Sequence, residues 1–204
     1  MPDNFAIFVD GISNLNLFKD LDKEVERNLV RAVNKATRDG RAKSARFIRE
    51  QVNFPARYLS PGGKRLVVGK PATLAKAESK IIARTRATSL ARFVSGTPRR
   101  GDPVRVEVSP GKARYLRNAF LVKLPAGSQP VDTKFNLGLA IRLGPNETLR
   151  NKVSARKLTK GLYLLYGPSV DQVFLDNSGD GVARDVEPSI MDNLEDEFLR
   201  LMDL

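Results

Sequence analysis

Residues 20–52 constrain this chain more than any other stretch. Val25, Leu29, Ala32, Val33, Ala36, Gly40, Ser44, Phe47, Ile48 and Val52 recur at the spacing of one helix face. The spacing predicts a long helix from Asp20 to Val52. Asp20 and Asp22 stand where caps belong, and Glu24 and Glu26 fall in the first turn, where the helix dipole favours acids. The other face carries Arg27, Arg31, Lys35, Arg38, Arg41, Arg46 and Arg49. Ala32, Ala36, Gly40 and Ser44 form a narrow stripe of small side chains that lets a neighbouring element approach closely, and Gly40 also offers a bend.

The other elements are shorter. Strands are expected at 5–9 (FAIFV), 64–70, 104–108 (VRVEV), 119–124 (AFLVKL), 138–143 (GLAIRL) and 162–166 (LYLLY). Residues 73–85 fit either period and are read as extended. Residues 53–63, with Pro55, Pro61, Gly62 and Gly63, read as a loop, residues 96–103 (GTPRRGDP) as a basic turn-rich segment, and 152–160 as a basic connector. A last helix is expected over 186–202, with Asp185 as cap, Glu187 and Pro188 in its first turn, and Ile190, Leu194, Phe198 and Leu201 as the buried stripe. Its outer face is acidic: Asp192, Glu195, Asp196 and Glu197. The order helix, strands, helix predicts a single α+β domain over 1–204. Its long N-terminal and C-terminal helices pack on a mostly antiparallel β-sheet, with 53–103 and 144–160 as loop or arm insertions.

Charge is split by position. Residues 1–160 hold 33 Lys/Arg against 13 Asp/Glu, and the remainder holds only Arg184 and Arg200 against 10 acids. Such a body can lie along a polyanion or pair with an oppositely charged surface. With 41% apolar residues the chain can build a core. No apolar run approaches the roughly 20 residues of a membrane span, and the start has no signal-peptide pattern, so the chain reads as soluble and made in a cytoplasm. Cys and His are absent, which removes disulfides, thiolate nucleophiles, imidazole bases and Cys/His metal sites. No cofactor, metal or small-molecule substrate is expected, and a binding or assembly role is favoured over catalysis.

Most short motifs have a plainer explanation than chemistry. Gly63 and Gly69-Lys70 imitate a phosphate loop, but the spacing is one residue too long and Pro71 stands where a Ser or Thr belongs. Residues 176–181 (DNSGDG) imitate a calcium loop and fail at Ser178, where the third ligand position calls for Asp or Asn. The basic helix face, with Arg84, Arg86, Arg99 and Arg100, offers phosphate contacts, and only Tyr58 and Phe93 offer stacking beside basic runs. Tyr166, Gly167 and Pro168 form a structural turn, and Ser169 has no His to activate it.

Several of these segments together resemble the phage minor tail protein Z family, the tail-completion proteins of long-tailed bacteriophages. They are the basic first helix ending near 45–48 (ARFI), residues 88–93 (TSLARF), 103–108 (PVRVEV) followed by 118–120 (NAF), 162–170 (LYLLYGPSV), and the acidic last helix. The resemblance implies a structural virion protein of the tail or neck. It would be assembled in the host cytoplasm and form or decorate a ring, six-fold, around the DNA channel at the head-proximal end of the tail. Its partners would be copies of itself and other tail and neck or connector proteins. The resemblance does not itself say which residues face DNA; because such arms occur in exposed basic loops, Arg99, Arg100, Lys152, Arg156, Lys157 and Lys160 are the expected ones. Asp192, Glu195 and Asp196 would meet Arg38 and Arg41 of a neighbour, head to tail. The competing reading is a non-specific DNA-binding or packaging accessory protein, motivated by the basic body. An enzyme using Asp171 and Asp176 ranks third.

Overall fold

A computed structural model of the chain describes residues 23–99, 101–124, 137–144, 147–149, 155–176 and 181–203. The expected strand at 5–9 and the cap candidates Asp20 and Asp22 lie outside them. The fold is α+β, and every strand pairing among the described residues is antiparallel.

Helix α1 spans Lys23–Gln51. Of the expected face, Ala32, Val33, Ala36, Gly40, Ser44 and Ile48 are buried, and Asn28, Thr37 and Arg41 are buried beside them. Helix α3 spans Val182–Leu201 and packs antiparallel to α1. Asn28 donates to the Leu201 carbonyl at 2.9 Å, Lys35 meets Glu197, and Gly40 lies against Ile190. A Cβ on Gly40 would stand 2.5 Å from Ile190 Cδ1, so the small-residue stripe is what lets α3 come this close. Helix α3 begins four residues before the expected start. Gly181 is its N-cap, Asp185 falls in its first turn, and Pro188 lies inside it. Val182 and Val186, both fully buried, carry the apolar stripe back toward the N-terminus.

Strands β1 (Leu66–Val68) and β2 (Ile81–Ala83) form a ribbon against α1. Strands β4 (Val104–Glu107) and β5 (Ala113–Leu116) form a hairpin. The largest sheet joins β3 (Thr88–Ser89), β9 (Leu162–Gly167), β7 (Leu137–Arg142) and β6 (Ala119–Lys123) in that order, with β8 (Ala155–Thr159) also on β9. Strand β8 replaces the connector expected there. The 3₁₀ turn Leu90–Phe93 ties the large sheet to the rest by packing on β7 and β9. The segment 53–103 is no free arm, because Phe54, Tyr58, Leu59, Leu66, Ile81 and Phe93 all enter the core.

The turn at Tyr166 and Gly167 leads into a short helix α2 (Val170–Phe174). Ser169 caps it: its Oγ accepts from the Gln172 N–H at 3.0 Å, and the Gln172 side chain accepts from the Ser169 N–H at 2.9 Å. Among the described residues no helix is long and apolar enough to cross a membrane.

Candidate anion-binding surface

After α1 the chain turns through a 3₁₀ segment, Ala56–Tyr58, that presses Tyr58 into the protein. Phe54 stacks on Tyr58 with centroids 5.5 Å apart and planes 14° apart, and Phe93 tilts against Phe54 from the large sheet. The segment is held from below by Arg41. Its guanidinium donates to the Leu66 carbonyl at 2.9 Å and also to the Leu59 carbonyl. Gly63 packs so tightly on this backbone that a Cβ there would stand 2.5 Å from the Tyr58 carbonyl oxygen.

Arginines gather around the phenol that this packing fixes. The Arg92 guanidinium lies 4.6 Å from the Tyr58 ring centroid and that of Arg65 lies 5.1 Å away. Arg84 donates to the Tyr58 oxygen at 3.0 Å, and Thr88 Oγ1 stands 3.2 Å from that same oxygen. Each arginine is placed by backbone. Arg84 follows β2, its N–H donating to the Arg65 carbonyl at 2.9 Å, and its carbonyl accepts from the Asp171 N–H at 3.1 Å. Arg92 sits on the 3₁₀ turn, whose start is capped by Ser89. Arg86 and Arg57 are exposed.

Among the described residues no carboxylate forms an ion pair with Arg84, Arg86 or Arg92. Burial lowers the Arg84 pKa from its ordinary value. Tyr58 acts against that shift, and the charges of Arg65, Arg86 and Arg92 add to it. Some cations elsewhere are paired: Lys76 and Lys80 both hold Glu78 at 2.7 Å, and Arg105 holds Glu107 at 2.8 Å. Arg84 and Arg92 are half-buried guanidiniums that repel one another and, among the described residues, hold no carboxylate, an arrangement set to accept an oxyanion.

The residues expected to face DNA are scattered. Arg100 and Lys152 lie outside the described residues. Arg99 is exposed beside Asp102, Phe120 and Arg142 in an open groove, and Lys160 precedes Gly161, whose carbonyl accepts from the Leu143 N–H at the same end of the sheet. Arg156 and Lys157 are exposed along β8. On the helices, Arg38, Asp192, Glu195 and Asp196 are exposed, as an intermolecular contact requires. Arg41 is not: at 8% exposure it points inward as the clamp described above, and its place on the outer basic face is corrected. Helical position explains it, since Thr37, Arg41, Ser44 and Ile48 fall on one face. Phe93, at 3% exposure, belongs to the core and offers no face to a base. Tyr58, at 5%, is a floor for arginines and not a stacking platform. Arg65 and Arg92 carry no sequence signal of this role beyond Arg92 standing next to Phe93.

The acidic pair considered for catalysis stands on and just beyond α2. Asp171 is half-buried in α2, its pKa raised by burial, and Asp176 is exposed beyond that helix. Most of the loop at 176–181 lies outside the described residues. No protein-family model, no curated protein and no solved structure matches this chain.

Proposed function

We propose that this chain is a structural virion protein of phage tail completion or head–tail joining, which forms or decorates a ring around the DNA channel. The observation that carries the reading is the opposite charge on the exposed sides of two long helices. Arg27, Arg31, Arg38, Arg46 and Arg49 are exposed on α1, and Asp185, Glu187, Asp192, Glu195 and Asp196 are exposed on α3. A head-to-tail contact between copies pairs one set with the other and closes when the rotation permits.

The segments that resemble tail-completion proteins also support it, because they meet in space. Thr88 and Ser89 pair with Gly167 and Tyr166, and a Cβ on Gly167 would stand 3.1 Å from Leu90 and 3.2 Å from Phe93. Asn118, which opens the NAF segment, takes the left-handed conformation (φ 60°) that turns β5 into β6.

The test is assembly. Sedimentation and electron microscopy of the purified chain, alone and with tail-tube and neck proteins, should yield rings. Reversing Asp192, Glu195 and Asp196 to Lys should abolish them, and adding Arg31→Glu and Arg38→Glu should restore them. A chain that stays monomeric with every such partner present removes the reading. The second reading, a non-specific DNA-binding accessory protein, draws on the arginine cluster around Tyr58.

A further inference from the structure

We propose that Arg65, Arg84 and Arg92, gathered on Tyr58, together with exposed Arg86 two residues beyond Arg84, form a preorganised receptor for the phosphodiester backbone of a nucleic acid. The inference deepens the DNA-channel part of the reading above and rests on it for the source of the nucleic acid. Ring assembly and DNA binding are measured separately, so either can fail alone.

The geometry is that of a built site. The four arginines come from the residue before β1, the residue after β2, the link to β3 and the turn after β3, so no single solvated helix face explains their grouping. Two guanidiniums lie within about 5 Å of one ring centroid, and a third donates to that ring's hydroxyl oxygen. Their positions are set before any ligand arrives. The Arg84 N–H and carbonyl both sit in backbone hydrogen bonds, and Arg41 clamps the segment bearing Tyr58. Preorganisation removes the ordering cost that weakens flexible arginine contacts.

The shape selects the ligand. Planar guanidinium forks match the oxygens of a phosphate. A floor that is 5% exposed and already stacked on Phe54 leaves no aromatic face for a base, so the site reads backbone and not sequence. Arg86, exposed two residues beyond Arg84 and close enough for its charge to act on that guanidinium, carries the positive surface beyond one phosphate, which suits a polymer over a free ion.

The experiment uses the full chain and a short labelled duplex of mixed sequence, titrated at low and moderate salt. R86Q/R92Q should weaken binding at low salt about tenfold or more. It should also flatten the dependence of log K on log salt by about 0.9 for each phosphate that is no longer neutralised. K112Q/R114Q, which removes the same charge from the exposed β4–β5 hairpin, should change both much less. Arginine-selective dicarbonyl modification of the unaltered chain, mapped by mass spectrometry, covers the case in which R86Q/R92Q does not fold. Duplex should protect Arg84, Arg86 and Arg92, and inorganic phosphate at matched ionic strength should not. The proposal is overturned by wild-type affinity and salt slope in R86Q/R92Q, or by no protection in the presence of bound duplex. Protection by inorganic phosphate but not duplex would mean a free-ion site and also overturn it. Loss of self-association in R86Q/R92Q with DNA binding intact would make the occupant the acidic face of another copy, and would overturn it as well.

Discussion

Lys35 and Glu197 stand 162 positions apart and meet at 3.0 Å. The contact joins the basic helix α1 to the acidic helix α3 inside one chain. Arg200 closes on the same carboxylate from the other side, with its Nη2 2.7 Å from Oε1 and its Nε 3.0 Å from Oε2. Part of the charge split along the sequence therefore serves folding. What remains for a partner is the set of exposed charges that this contact does not use.

Glu197 makes stability depend on acid. The two cations hold its carboxyl at about 2, below its ordinary 4.5, with hydrogen bonds from Arg200 and then Lys35 as the main causes. Between these values the unfolded chain binds a proton that the folded chain does not, so this contribution is complete above about 4.5 and disappears as pH falls toward 2. Thermal unfolding of wild type and Glu197→Gln across this range should show the variant less stable at neutral pH and the gap closing in acid. A gap that does not change with pH removes the ion pairs as its cause.

Gly40 should not tolerate a side chain. Alanine is the better helix former by about 1 kcal/mol, but its Cβ would stand 2.5 Å from both Cδ1 and Cγ1 of Ile190, itself 3% exposed. Overpacking of this kind costs about 1–3 kcal/mol, so Gly40→Ala should be destabilising on balance. In a double-mutant cycle Gly40→Ala with Ile190→Ala should lose less than the sum of the two single changes. Additivity in the urea midpoints would show that the two positions do not press on each other.

Much of this packing is readable from sequence, and what is not has identifiable causes. Helix α1 announces itself because one period runs through many residues, and the Ala32-to-Ser44 stripe foretells a close neighbour. The start of α3 is easily misplaced because Asp185 looks like a cap, although Val182 and Val186 continue the spacing of Ile190 and Leu194. Strand β8 is invisible because Arg156, Lys157, Leu158 and Thr159 are all exposed, leaving no alternation to detect. The arginine cluster depends on contacts between residues 58, 65, 84 and 92, which no local spacing rule relates. Arg84 and Arg86 stand out in the sequence as basic residues, but the ring that gathers Arg84 with Arg65 and Arg92 does not.

Ser169 is a structural serine. It is 1% exposed, and its Oγ is committed to the Gln172 N–H at 3.0 Å in a reciprocal capping box. Ser169→Ala should cost about 1 kcal/mol, in the range of lost N-caps, and Ser169→Asp should restore part of it by accepting from the same N–H. Equal stability of wild type and Ser169→Ala in chemical denaturation would remove the cap from the account of α2.

Arg41 links the core to the arginine cluster, and its replacement should be the most costly single change considered. Burial lowers its pKa, and it makes no ion pair among the described residues, so its charge is sustained by the carbonyls of Leu59 and Leu66. Arg41→Met keeps the apolar stem and leaves both carbonyls without this donor, which should cost about 2–3 kcal/mol. Arg41→Lys supplies one compact ammonium where a fork reached two oxygens, so it should recover only part of the loss. Both changes should also loosen the segment that carries Tyr58, seen as faster amide exchange over residues 56–66 than at the α1–α3 contact. Uniform exchange across the chain would show that Arg41 supports global stability without specifically bracing the Tyr58 site.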